Sequence, residues 1–223
     1  MGCCGGKKTP QDLLFVYAKK GKAGKIKKLL KKNPDEVDLD AKDKNGRAAV
    51  ILAATKNKHG VIKVLGKLGA DLDASSDQDG GYTAVCVVTA AGHKKSLQRL
   101  IDGEADVDKG DCNGRPPVHI AVCYGRIKML KMLAENNANL GKSASSGPFQ
   151  GQTAQDRCKD GIANSLDHDK FQDAFGGGTA GPRTLLAEAM TKKDKSGVEV
   201  TGERFADMQQ MIIEFGGGKA GGW

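Results

Sequence analysis

Three residues at the start of the chain have the types and spacing for covalent chemistry. The sequence opens Met-Gly-Cys-Cys-Gly-Gly-Lys-Lys. Removal of Met1 leaves Gly2 as an acceptor for myristate, and the adjacent thiols of Cys3 and Cys4 are then placed for palmitate. The match is partial, because Gly6 stands where a Ser or Thr is usual. One myristoyl chain holds a membrane only marginally, so stable anchoring needs a second acyl chain or a basic cluster. Lys7 and Lys8 supply the start of such a cluster. Acylation and attachment to the cytoplasmic face of a membrane are therefore expected.

No other stretch carries a complete reactive pattern. The run NNANLGKS from Asn136 ends like a phosphate-binding loop, but Asn136 occupies the place of the first glycine and no strand precedes it. The phrase FGGGTAG at Phe175 returns as FGGGKAG at Phe215. Each reads GxGxxG, yet neither follows a strand or opens a helix, so both are predicted as helix ends running into linkers. Between them, Asp194, Ser196, Gly197 and Glu203 resemble an EF-hand loop. Lys192 then puts a cation in the first ligand position and Glu199 replaces the apolar eighth residue, so calcium binding is not expected. His59, His93, His119 and His168 are not spaced as metal ligands on one helix, and no zinc-protease, serine-hydrolase or kinase motif occurs. No catalytic residue, metal, cofactor or small-molecule substrate is expected.

The elements that must position these residues follow from charge and periodicity. The net charge is +8, yet Met1 to Lys32 holds ten lysines against one acid, Asp12, leaving −1 for the rest. Beside candidate acyl sites, Lys7, Lys8, Lys19, Lys20 and Lys22 are expected to meet an anionic membrane surface at about 1 kcal/mol per basic residue. Aromatic residues are not interleaved with these lysines, which argues against nucleic acid. The six cysteines include no CxxC pair, as expected of reduced thiols. No apolar run long enough for a membrane span or a secretory signal is read in the sequence, so the chain is expected to be cytoplasmic.

An internal repeat organises the first two-thirds. KLGADLDA, DGEADVDK and ENNANLGK recur at Ala70, Ala105 and Ala138, spaced 35 and 33 residues apart, and NPDEVDLD places Val37 another 33 residues upstream. Turn signals precede the later copies at Asn45-Gly46, Asp79-Gly80 and Asn113-Gly114. Two short helices fit between turn and tail. The second carries apolar stripes: Ile26, Leu29 and Leu30; Val61, Val64, Leu65 and Leu68; Leu97, Leu100 and Ile101; Ile127, Leu130 and Leu133. One such pair cannot cover its own stripe, so the units must stack.

The period, the hairpin glycine and the GADVN-like ending resemble the ankyrin repeat family. The resemblance implies an all-α solenoid with repeats near 11–42, 43–76, 77–110 and 111–143 and a partial capping repeat at 148–175. Residues 1–10 precede it as a basic lipidation segment, and 176–223 follow as a glycine-rich linker, a helix-loop-helix and a glycine-rich tail. In that tail Phe205, Met208, Ile212 and Phe215 share one helix face. Where the family prefers Thr-Pro-Leu-His, this chain has Ala48-Ala49-Val50-Ile51, Thr83-Ala84-Val85-Cys86 and Pro116-Pro117-Val118-His119. Only His119 keeps the family histidine, as a structural residue, and polar stitching between units is expected to be thin.

The resemblance implies a concave surface built from hairpin tips and first helices. Its expected partner-binding residues are Lys44, Arg47 and Ile51; Gln78, Tyr82 and Cys86; and Cys112, Arg115 and His119. Tyr82, Arg47 and Arg115 are the expected anchors, since Tyr and Arg dominate binding hot spots. The function implied is a non-catalytic adaptor for protein partners. The alternative is a structural subunit of a cytoskeletal, ciliary or membrane assembly, held by its basic first repeat and glycine-rich tails.

Overall fold

The computed structural model describes residues 8–77, 80–147, 150–163 and 202–217. Gly2, Cys3, Cys4, Lys7, Gln78, the glycine phrase at Phe175 and the EF-hand-like loop up to Thr201 lie outside them.

Helix α1 (Pro10–Lys20) starts where the sequence supplies a full cap. Thr9 Oγ1 accepts the Asp12 amide at 3.1 Å, Asp12 Oδ2 accepts the Thr9 amide at 3.1 Å, and Pro10 takes the first turn. Gly21, at φ 74°, ends the helix in the left-handed conformation. Helix α2 (Ala23–Lys32) then returns beside it. The unit repeats as α3 (Ala49–Thr55) with α4 (His59–Lys67), α5 (Ala84–Ala91) with α6 (Lys94–Ile101), and α7 (Pro117–Cys123) with α8 (Ile127–Glu135). Helix α9 (Ala154–Ala163) opens a fifth unit.

First helices form one layer and second helices another. The inner stack runs α1, α3, α5, α7, α9, and outer neighbours include α2 on α4 and α4 on α6. Every residue of α3, α5 and α7 except Ala91 of α5 is buried across the three helices. Their sequences, AVILAAT, AVCVVTAA and PVHIAVC, are apolar or small all round, as a helix must be when neighbours cover every side. Outer helices bury one stripe only: Ile26 of α2, Val61, Ile62, Val64 and Leu65 of α4, Leu97 and Leu100 of α6, and Met129, Leu130 and Leu133 of α8. Leu68, expected in that stripe, is 40% exposed because α4 ends at Lys67 and Leu68 caps it.

Polar stitching between units is denser than the lost histidines suggest. Asp40 Oδ1 accepts the Asp71 amide at 2.7 Å, Asp73 Oδ1 the Asp106 amide at 2.8 Å, and Asp108 Oδ1 the Asn139 amide at 2.8 Å. Gln11 joins this ladder through the backbone of Asp38. The repeated DLD and DVD phrases supply the carboxylates, so the ties have moved from the first-helix histidine to the loop aspartates. Burial, against the pull of the Asp106 amide, raises the Asp73 carboxyl above its ordinary range, and nearby Asp106 and Asp71 add to the rise.

The C-terminal helix is part of the stack. Helix α10 (Gly202–Gly217) packs on α9 and α8, burying Met208 and Ile212. Those are the contacts an outer helix makes with its own inner helix and with the preceding outer helix. Among the described residues α10 therefore stands in the outer position of the fifth unit, although residues 164–201 intervene.

Candidate docking site on the hairpin edge

The hairpins of the second and fourth units are closed from inside by an aspartate four residues before their last position. In the fourth unit Asp111 Oδ1 accepts the amides of Asn113 and Arg115, both at 3.0 Å, while Oδ2 accepts Arg115 Nε at 2.7 Å. Arg115 Nη2 reaches the Asp111 carboxylate at 2.6 Å and donates to the Tyr82 hydroxyl of the preceding hairpin at 2.9 Å. The second unit repeats the design more loosely. Asp43 Oδ1 accepts the Asn45 and Arg47 amides at 3.0 Å, and Arg47 Nη2 lies 3.4 Å from Oδ2. The third hairpin is one residue longer, with Tyr82 in the arginine's place. Backbone bonds then join the tips: the Asp77 amide to the Gly46 carbonyl at 2.9 Å, Cys112 to Gly80 at 3.0 Å, and Ser146 to Asn113 at 3.0 Å.

This frame turns most of the expected contact residues inward. Arg47, Tyr82 and Arg115 are 7%, 4% and 5% exposed, so the expected anchors close hairpins instead of standing free for a partner. Ile51, Cys86 and His119 are buried because each following hairpin folds over the inner helix before it; Cys86 Sγ lies 3.6 Å from the Lys109 carbonyl. Lys44 and Cys112 are exposed as expected. They share the hairpin edge with Lys42, Asp77, Lys109 and Ser145, which were not singled out in the sequence. Lys42 is ion-paired with Asp77 of the next tip.

Burial sets the chemistry of the interior groups. It pushes the Tyr82 phenol up to about 12, although Arg115 pulls the other way, and the Cys86 thiol up to about 12. Burial also raises the thiols of Cys123 and Cys158. Thiols held protonated in this way are poor nucleophiles and poor metal ligands. Burial, helped by Arg157 and Arg115, lowers His119 to about 4. The imidazole lies near the Gln152 backbone of the next hairpin, but neither ring nitrogen meets hydrogen-bond geometry. Arg115 bears out the same logic in reverse: burial works against its charge, but hydrogen bonding to Asp111 keeps it protonated. No cluster of His, Cys, Asp or Glu that could hold a metal ion occurs among the described residues.

The basic residues divide between two edges. Lys19 lies 3.7 Å from Asp43 Oδ2, which draws it toward the second hairpin. Lys8, Lys20 and Lys22 are exposed. The residues preceding the outer helices, Lys22, Lys58, His93 and Arg126, share one backbone conformation, with φ from −96° to −82°. Two of them grip the turn before: His93 Nδ1 lies 3.3 Å from the Ala54 carbonyl and Arg126 Nε donates to Ala90 at 2.9 Å. The NNANLGKS stretch is likewise structural, with Asn139 Oδ1 accepting the Gly141 amide and Lys142 Nζ bonded to the Asp108 carbonyl. Among the described residues no helix is long and apolar enough to cross a membrane.

Comparison with known proteins agrees with this architecture. A family model described as ankyrin repeats, in three copies, matches residues 68–144. The chain is 29% identical over 117 residues to the tyrosine-protein kinase HTK16 of Hydra vulgaris, covering 52% of this chain and 15% of that protein. It is 26% identical over 128 residues to the nuclear factor NF-kappa-B p105 subunit of Gallus gallus, covering 57% and 13%. Against the protein glp-1 of Caenorhabditis elegans it is 31% identical over 113 residues, covering 47% and 9%. The chain thus spans no more than 15% of the length of these relatives.

Proposed function

We propose, from the premise that this chain is an ankyrin-repeat solenoid, a module that binds proteins, that it is a non-catalytic adaptor tethered to the cytoplasmic face of a membrane. One observation carries the adaptor role: exposed side chains along the hairpin edge, Lys44, Lys109 and Cys112 among them, are mounted on a frame of buried ion pairs and inter-tip backbone bonds. A surface already ordered loses little conformational freedom on binding. The mixed polar character of the row suits a polar, partly acidic protein surface. The tether rests on Gly2, Cys3 and Cys4, with Lys7 and Lys8 beside them.

Two measurements test the two halves separately. Partners captured from native lysate by the full chain are compared with those captured by Lys44→Glu with Lys109→Glu. Specific loss of a partner supports docking on the hairpin edge, and an unchanged set refutes it. Detergent-phase partitioning of protein made in acylating cells is compared with Gly2→Ala and with Cys3→Ser plus Cys4→Ser. Loss of the membrane fraction supports the tether, and no change favours a subunit of a larger lattice.

A further inference from the structure

The charges of this chain are sorted along each repeat. From Leu13 to Pro34 there are eight lysines and no acid; from Lys44 to Ala70 there are six cations and no acid; Gly80 to Ile101 and Cys112 to Ala134 likewise hold cations only. Aside from Asp12, the carboxylates up to Glu135 fall in the loop and hairpin-entry segments between those stretches. In the fold, that sorting separates two edges. Each inner helix begins at its hairpin and ends at the short turn into its outer helix, so the turns form an edge of their own, remote from the hairpins. Lys20 and Lys22 flank Gly21 at the first turn, Lys58 stands in the second, Lys94 and Lys95 open the helix after the third, and Lys128 lies in the first turn of the helix after the fourth. All but Lys58 are exposed, and Lys58 lies half-buried against Gly21 of the turn before. Where carboxylates do reach the outer helices, they sit at the C-terminal ends away from the turns, as Asp102 paired with Arg99 and Glu135 beside Lys131.

We infer that this turn edge is a membrane-contact surface for anionic phospholipid headgroups, which orients the stack on the bilayer with its hairpins directed away from it. The inference deepens the tethered-adaptor reading and rests on it for bringing the chain to a membrane. Three features favour a bilayer over nucleic acid or an acidic protein. The row is lysine, a hydrated point charge suited to a diffuse anionic plane, and its guanidinium, Arg126, is turned back onto the Ala90 carbonyl. Among the described residues the aromatic side chains beside the turns are already engaged: Lys25 lies over the half-buried Tyr17 ring at 5.7 Å, and Tyr124 is half-buried with its phenol raised by that burial. The row also crosses four stacked helix pairs, which at the usual spacing of about 8–10 Å extends it over roughly 30 Å. Lys8 stands at the opposite end of α1 from Lys20 and Lys22, so the acylated segment has to reach back along that helix for lipid chain and basic edge to serve as the two signals that stable anchoring requires.

The test uses full-length protein made in bacteria, without acyl chains, and sedimentation with phosphatidylcholine vesicles with and without phosphatidylserine. Binding that requires phosphatidylserine and weakens as salt is raised is expected. The triple change Lys22→Gln, Lys95→Gln and Lys128→Gln should weaken it by about a hundredfold. Removing the same number of charges at Lys44, Lys109 and Lys142 should change it by less than about threefold, because those residues are off the edge. The inference is overturned if wild-type protein shows no preference for phosphatidylserine, if both triple variants lose binding equally, or if duplex DNA binds more tightly than the vesicles at the same salt. Since no acyl chain is present, none of these outcomes depends on Gly2, Cys3 or Cys4, whose part is decided by the partitioning experiment.

Discussion

Replacing Arg115 with Met should be among the most damaging single changes in the solenoid. The Asp111 side chain has no exposure and that of Arg115 only 6%. The substitution keeps the apolar stem but deletes both guanidinium contacts to the carboxylate and the donor to Tyr82. Asp111 is left with two backbone amides and no countercharge in a dry site. Breaking a buried pair from one side costs about 3–5 kcal/mol. For a chain of this size each kcal/mol moves the melting temperature by about 2–4 °C, so a fall of about 6–20 °C is expected. Urea denaturation followed by circular dichroism should give the same loss with an unchanged slope. Tyr82→Phe removes one hydrogen bond from a charged donor and should cost about 1.5–3 kcal/mol. Asp111→Asn combined with Arg115→Met keeps the acceptor for both amides and removes the stranded charge, so the double variant should recover most of the loss. A loss below about 1 kcal/mol in Arg115→Met, or a double variant as damaged as the sum of the singles, would refute the account of this hairpin.

Acid should weaken the stack through His119. Its folded pKa is about 4 against an ordinary 6.5, so the unfolded chain binds the extra proton first. This contribution is fully present above about pH 6.5 and fades as pH falls toward 4, by up to about 3 kcal/mol; a stability profile of His119→Gln should be flatter over that window. Asp73→Asn keeps an acceptor for the Asp106 amide while removing a carboxylate whose charged form is disfavoured by burial and by Asp106 and Asp71. It should raise stability at neutral pH by a few tenths of a kcal/mol, measured by urea titration, with the gain shrinking in acid. Met208→Ala should cost about 2–5 kcal/mol if α10 is an integral outer helix, and near zero if it does not pack on the stack.

The period of 33 residues, the outer-helix stripes and the hairpin glycines made the solenoid legible from the chain alone, because each obeys a spacing that a single helix or turn imposes. The fate of the hairpin residues was harder to see. Arg47 and Arg115 are hot-spot types at loop tips, yet each sits four residues after an aspartate, and that spacing closes a turn on itself. Asp43 and Asp111 were the signal that the side chains point inward. The thin stitching expected from the missing histidines likewise overlooked the loop aspartates, whose short side chains span to the next repeat only once the repeats are stacked. The position of α10 could not be read from local pattern, since its partners α8 and α9 are distant in sequence and its apolar face fits several neighbours. Met208 and Ile212 were correctly placed on one face, and that face is the one the stack covers.

The split fifth unit also sets the order in which this molecule can be finished. During synthesis the ribosome delivers α9 well before α10, and at roughly 5–20 residues per second the intervening 164–201 and α10 itself take on the order of several seconds. Throughout that interval Met208 and Ile212 have not yet reached the sides of α8 and α9 that they later meet. The nascent chain therefore passes through a stage at which the fifth unit still awaits its outer helix, when premature self-association or chaperone capture is easiest.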